Sequence, residues 1–408
     1  MGKAREIVIE RSGSGRGSDT KTTELRLIDA LLRMWAEMPI DQISVRALVH
    51  EAHSAQAAIH YHFGDMERLY VAASAAALTQ AERWMAGRLA ALAPLATVRI
   101  PPAMQAALIN ATIADWTGEQ RRLAMAARHA PGPGWERSHR QFWTGIAEVI
   151  GLGAHAETIA CYAHGEAARH LLVWNPVIDR ALLEETTTAL VTWLAARRFG
   201  EEGARTAHRA LARAGYREPP PSATGERAVI AGAAADLLAA QGHAGVTFRA
   251  VAARAGVTLG KVVHLVGTKS ELLALALHRL YEREALGGDP EQFQAQRFAP
   301  HAMLAIMLDA VLAGSQPVLA AYDEIERAIY NGADHAPLRG LVRAMEDPSG
   351  TWALTQLLGG EEAPPASLVA AFSAILRGVG HRAAHAADPP ETLRVAAEAA
   401  LRPFLPRA

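Results

Sequence analysis

Between Ser44 and Leu69 the chain reads SVRALVHEAHSAQAAIHYHFGDMERL, and its second half carries side chains suited to touching a nucleic acid. Over about Ala55 to Phe63, Ile59 and Phe63 share a helix face at i, i+4 and must be buried, which turns Gln56, Ala57, Ala58, His60 and Tyr61 outward. Gln56 can hydrogen-bond an adenine edge, and Ala58 can touch a thymine methyl. Tyr61 and His62 are donors for phosphate or base, and phosphate contacts make up much of any such interface. Rival chemistry has no anchor: the sequence holds no Gly-rich phosphate loop, G-x-S-x-G elbow or H-E-x-x-H, so an enzyme is not expected. His381 with His385, and Cys161 with His164, each offer two metal ligands, but no third follows at suitable spacing. No metal or other cofactor is expected.

Those side chains need a scaffold, and the flanking residues provide one. Ser44 can cap the free amides of a helix whose apolar face is Val45, Leu48 and Val49. Ala52, His53 and Ser54 interrupt that period, the second short helix follows, and Gly64-Asp65 ends it before another helix begins near Met66. Two short helices joined by a tight turn are a helix-turn-helix, whose second member enters a DNA major groove. Upstream, Leu27, Ile28, Leu31, Met34 and Trp35 recur at helical spacing and form the core of a preceding helix.

The stretch occurs twice. Thr247 to Leu272 reads TFRAVAARAGVTLGKVVHLVGTKSEL and aligns without a gap at an offset of 203 residues (247 − 44). Arg46 matches Arg249, Ala52 matches Ala255, Gly64 matches Gly267, and Leu27, Met34 and Trp35 fall on Ile230, Leu237 and Leu238. A chain that is nearly two copies of one unit is read as two units.

These residues resemble the tetracycline-repressor (TetR) family of bacterial transcription regulators. The shared pattern is an apolar first helix, then [ST]-V-R-x-[LIV]-A, A-G-V-[ST]-x-G-x-[LIV]-Y-x-H-F and S-K-E-x-L. The first copy keeps Ser44, Val45, Arg46, Ile59, His62, Phe63 and Leu69; the second keeps Thr247, Arg249, Ala255-Gly256-Val257-Thr258, Gly260, Val262, Lys269, Glu271 and Leu272. The resemblance covers roughly fifty residues per copy, the rest matching by helix count and length alone. It implies DNA contact through Ser44, Arg46 and His60 in one head, besides Gln56, Ala58, Tyr61 and His62. In the other head it implies contact through Thr247, Arg249, Thr258, Lys261, His264 and Lys269. His53 stands where the family has a turn glycine, His60 where it favours tyrosine, and Met66 where it has lysine. In the second copy Val263 replaces the tyrosine and Val266 the final aromatic. Charge differs as well: five Lys/Arg oppose seven Asp/Glu over 21–70, against five and three over 224–273.

Composition frames the whole. Half of the 408 residues are apolar and a fifth charged, and Pro and Gly punctuate segments of helical length, so the fold class is all-α. The single cysteine, Cys161, suits a reducing cytosol; no apolar run approaches the ~20 residues of a membrane helix. The expected location is cytoplasmic. The expected organisation is a flexible arm at 1–20, in which Arg11 and Arg16 could reach a minor groove, and a DNA-binding head at 21–66. A helical body follows at 67–199, then a linker at 200–223, a second head at 224–270 and a second body at 271–408. In the linker, Arg205, His208, Arg209 and Arg213 are expected on one solvated face, followed by the Pro-rich EPPPSATG.

Six of the eight tryptophans lie between Trp84 and Trp193, so the first body is the expected home of a cavity for a small hydrophobic or aromatic effector. Its expected lining is Trp84, Met104, Trp116, Met125 and Trp143. In the family the last two helices of each body form the dimer interface; here both pairs, about 154–174 with 177–199 and 367–387 with 391–404, lie in one chain. The resemblance therefore implies an intramolecular pseudo-dimer, alone or as a dimer of such chains, acting as a ligand-responsive regulator, most simply a repressor, on duplex DNA with unlike half-sites. The alternative is a helical small-molecule sensor in which one head has lost DNA binding and which acts through a partner.

Overall fold

The computed structural model describes residues 15–38, 43–172, 175–200, 203–205, 207–208, 225–285, 296–313, 348–360 and 362–407, with 321–323, 325–326, 329, 338 and 341–342 of one intervening stretch. Helices and their connections account for all of it; no strand occurs among the described residues. The first head comprises α1 (Gly15–Glu37), α2 (Val45–Glu51) and α3 (Gln56–His62), followed by the long α4 (Met66–Leu92). Leu27, Leu31, Met34 and Trp35 of α1 are buried against Leu48, Ile59 and Leu69. Asp65 caps α4 by accepting the Arg68 N–H at 2.8 Å. Along α4, Ala73, Ala77 and Ala81 repeat at i, i+4 and are fully buried, a strip of small side chains that lets the following helices approach closely.

The first body continues with α5 (Pro102–Thr117), α6 (Arg121–His129), α7 (Pro133–Val149), α8 (Ala156–Leu171) and α9 (Pro176–Ala196). The chain then repeats a head: α10 (Glu226–Gly245), α11 (Phe248–Ala255) and α12 (Leu259–Val266), leading into α13 (Lys269–Ala285). Thr268 and Glu271 start α13 as a reciprocal capping box, the Thr268 N–H donating to Glu271 Oε2 at 2.7 Å and the Glu271 N–H to Thr268 Oγ1 at 3.2 Å. Helices α14 (Pro300–Leu312), α15 (Pro348–Leu358), α16 (Ala366–His385) and α17 (Pro390–Leu401) follow.

The two halves meet where α8 crosses α16. Gly165 sits against the backbone of Ala374, and Gly378 against the backbone of Cys161, so closely that a Cβ on either glycine would run into main chain. The contacts are reciprocal at a spacing of 213 residues (378 − 165 and 374 − 161). The same spacing relates Asn175-Pro176 at the start of α9 to Asp388-Pro389 just before α17. Helices α9 and α17 flank the crossing. Polar ties span the seam: Thr158 Oγ1 donates to the Ala400 carbonyl at 2.9 Å, Trp193 Nε1 to the Pro403 carbonyl at 2.9 Å, and Arg382 meets Glu157 at 2.6 Å.

Two expectations need correction. Residues 15–20 belong to α1 rather than to an arm, because a nucleated helix with no proline ahead of it extends at one hydrogen bond per residue; residues 1–14, with Arg11, lie outside the described residues. Arg205 and His208 are buried, at 0% and 4% exposure, not solvated. The Arg205 guanidinium is drawn in by Thr186 Oγ1, the Leu182 carbonyl at 3.3 Å and Glu166 at 3.9 Å, so the chain leaving α9 is pinned to the first body. Arg209, Arg213 and the proline run lie outside the described residues.

Candidate functional site

Each head builds its reading helix on the same turn. In the first, Ser44 Oγ accepts the Ala47 N–H at 3.1 Å, and the Ser54 N–H closes the turn on the Val49 carbonyl at 2.8 Å. In the second, Thr247 Oγ1 accepts the Ala250 N–H at 3.1 Å, and the Val257 N–H closes on the Ala252 carbonyl at 3.1 Å. All four residues of the second pair of bonds lie 203 positions beyond their counterparts. The turn needs a left-handed residue. Gly256 supplies it at φ 67°, whereas His53 adopts φ 47° at the equivalent place.

On the first reading helix, Ile59 and Phe63 are buried, while Gln56, His60 and Tyr61 are exposed, Tyr61 at 77%. Ala58 and His62 are half-buried; the His62 ring meets that of Tyr61 edge-on with centroids 5.0 Å apart. His60 Nδ1 donates to the Gly64 carbonyl at 2.8 Å, which fixes the ring and directs Nε2 to solvent as an acceptor when neutral. Ser44 is committed as a cap, and Arg46 is exposed on α2.

On the second, Val262 and Val266 are buried and Leu259, Lys261, Val263 and His264 are exposed. Thr258 Oγ1 caps the helix, accepting the Lys261 N–H at 3.3 Å. Arg249 is exposed, but Lys261 is held by Glu226, and Lys269 folds back to donate to the His243 carbonyl at 3.3 Å. Burial pushes the Lys269 ammonium below its ordinary pKa. The expected pair of phosphate-binding lysines is thus engaged within the head, because carboxylate and carbonyl partners on α10 lie within reach of both.

In the body, a cavity of about 40 Å³ lies at the seam, between α4, α5, α6, α7, α8 and α16. Of the expected lining residues only Trp116 borders it. Trp84 packs behind Trp116 with ring centroids 5.5 Å apart, Met125 is wholly in the core, and Trp143 is buried 6.3 Å from His139. Met104 is 41% exposed, since Gln105, Ala106 and Ile109 carry the inward face of α5 and Met104 is rotated off it. Pattern reading missed what faces the cavity: Trp135, Glu136, His139 and His164, with His381 from the second half. His164 and His381 stack with centroids 3.8 Å apart, and His139 meets His164 edge-on at 5.3 Å. Burial holds His139 down at about 4 and His164 and His381 well below the usual imidazole value, so all three are neutral near pH 7. Burial raises Glu136 to about 7 against the opposing pull of Arg382. Among the described residues, no three or more His, Cys, Asp or Glu side chains converge as a metal cage does.

Residues 27–73 match the family model described as bacterial regulatory proteins, tetR family, from within α1 to the first turns of α4. No curated protein matches the chain. The family match supports a DNA-binding transcription regulator of TetR type. Among the described residues no helix is long and apolar enough to cross a membrane.

Proposed function

We propose that the chain is a cytoplasmic transcription regulator, a repressor, in which two unequal TetR-like units joined head to tail act as their own dimer. The observation that carries this reading is the repeated turn: Ser54 on Val49 and Val257 on Ala252, each presenting a reading helix, in halves whose helices α8 and α16 cross at reciprocal glycines. The two heads address successive major grooves, which for such dimers lie about 34–36 Å apart. Because Gln56, His60 and Tyr61 are matched 203 residues on by Leu259, Val263 and His264, the operator has unlike half-sites.

The effector site is the seam cavity. Ligand pockets hold roughly 300–1,000 Å³, far more than the closed cavity, so a small aromatic effector enters only by parting α8 from α16. That coupling changes head spacing, and its reach is set by the ligand's differential affinity for the open and closed states. Full-length protein is tested by selecting bound fragments from random duplex DNA, with and without aromatic ligands. One chain bound per asymmetric site supports the reading; a perfect palindrome holding two chains sinks it.

A second reading, a sensor whose second head has lost DNA binding and works through a partner, is favoured by the internal engagement of Lys261 and Lys269. Separate Tyr61→Ala and Lys261→Ala variants discriminate: if only the first change weakens operator binding, this reading is preferred.

A further inference from the structure

The second reading helix exposes something the first does not. Leu259 and Val263 lie at i, i+4 on one face, each 44% exposed, while Val262 and Val266 on the neighbouring face fill the head core. Gly260 between them has open space where a Cβ would stand, so nothing obstructs close approach to this face. The first head carries Gln56 and His60 at the same two places, both able to hydrogen-bond. Elsewhere on this head Arg249, Lys261 and His264 are also exposed, the last two on the other side of the same helix. An exposed apolar pair at the positions where the first head carries hydrogen-bonding side chains is a poor surface for water and a good one for the major groove, where thymine alone offers a methyl group.

Resting on the DNA-binding reading above, we infer that Leu259 and Val263 read thymine 5-methyl groups, so that the second half-site is selected by methyl contact and the first by hydrogen bonds. Leu259 opens the helix, the end that reaches base edges in this motif. Four residues of helix rise about 6 Å, so the two thymines stand about two base-pair steps apart.

The test starts from the duplex that full-length protein selects out of random DNA. In that duplex, each thymine of the second half-site is replaced by deoxyuridine, which removes the 5-methyl group and leaves base pairing intact. Loss of one buried methyl is expected to weaken binding about fourfold per site. Val263→Ser protein, checked for an unchanged melting curve, is expected to lose sensitivity to uracil at one of the two thymine positions while keeping it at the other, and Leu259→Gln to show the reverse. Binding indifferent to uracil throughout the second half-site overturns the inference while leaving DNA binding in place. A selected sequence random at the second half-site overturns it and leaves only the first head as a reader. Failure to select any DNA overturns the function proposed above as well.

Discussion

Arg33 on α1 and Glu51 at the end of α2 form an ion pair at 3.0 Å, and their counterparts 203 residues on, Asp236 and Arg254, form the same pair at 2.9 Å with the charges exchanged. The tie between first and second helix of each head is kept while its sign is not, as expected if geometry rather than a particular charge is required there. Both pairs are nearly half exposed, so each contributes about 0.2–1 kcal/mol and less at high salt. Arg33→Asp alone should destabilise by roughly 1 kcal/mol through like-charge repulsion, and Arg33→Asp with Glu51→Arg should return to within about 0.5 kcal/mol of the parent. Urea denaturation of the four proteins of this cycle measures it; a coupling energy near zero would show the pair to be incidental.

The crossing of Gly165 and Gly378 predicts a much larger effect. An alanine at either place meets the backbone of the opposite helix, which has no rotamer to escape into. Gly165→Ala and Gly378→Ala should each cost at least about 3 kcal/mol, by driving α8 and α16 apart. Equal losses are expected from the two, since the contacts are reciprocal. A midpoint shift worth less than about 1 kcal/mol for either would mean that the helices part without cost.

How much of this was open to reading from the residue string alone follows from the range of the forces involved. The caps Ser44, Thr247 and Thr258, and the buried stripe of α1, depend on residues three or four apart, and they stand where spacing puts them. Arg205 was illegible for the opposite reason. A local wheel shows an arginine among polar neighbours, and nothing nearby tells of Glu166 and Thr186, 39 and 19 positions back (205 − 166 and 205 − 186), drawing it inward. The cavity shows the same limit, since His139, His164 and His381 come from three helices and stack only after folding. Met104 lies one step of rotation, about 100° on a helix, from Gln105 on the inward face of α5.

His53 is a place where the sequence keeps a strained residue. At φ 47° it holds a conformation that its counterpart Gly256 adopts at φ 67° without a Cβ penalty. Relief of that penalty exceeds the added chain entropy of glycine, so His53→Gly should stabilise by about 0.5–1 kcal/mol. Gly256→Ala should destabilise by about 1 kcal/mol or more. Thermal melting checks both signs, and a destabilised His53→Gly protein would indicate that the imidazole makes up its own strain.

Lys261 is paired with Glu226 on α10. Glu226→Gln frees the ammonium for phosphate, so on the DNA-binding reading affinity should rise severalfold and the salt dependence should steepen by about one phosphate, −0.9 in the log–log slope. Lys261→Ala should flatten that slope by a similar amount. Fluorescence anisotropy across a salt series reads both; slopes unmoved by either change would remove Lys261 from the interface.

The buried histidines set the acid limit of the fold. His139, His164 and His381 are neutral in the folded chain but take up protons near pH ~6.5 once unfolded. Their contribution is therefore complete above about pH 6.5 and is lost as pH falls toward the depressed values. Glu136 runs the other way: raised to about 7, it binds its proton in the folded state first, and so adds stability as pH falls toward the ordinary carboxylate range. The three histidines outweigh the one carboxyl, so stability should fall as pH drops below about 6.5. Asp323, held far below the carboxylate range by Arg128 and Arg377 against its burial, stays charged across that window and adds nothing to the slope. Urea midpoints at half-unit intervals of pH measure the effect, and His139→Gln should remove one proton from it. A stability flat from pH 6.5 to 5 would show that water reaches the histidine stack and that the seam is open in the resting protein.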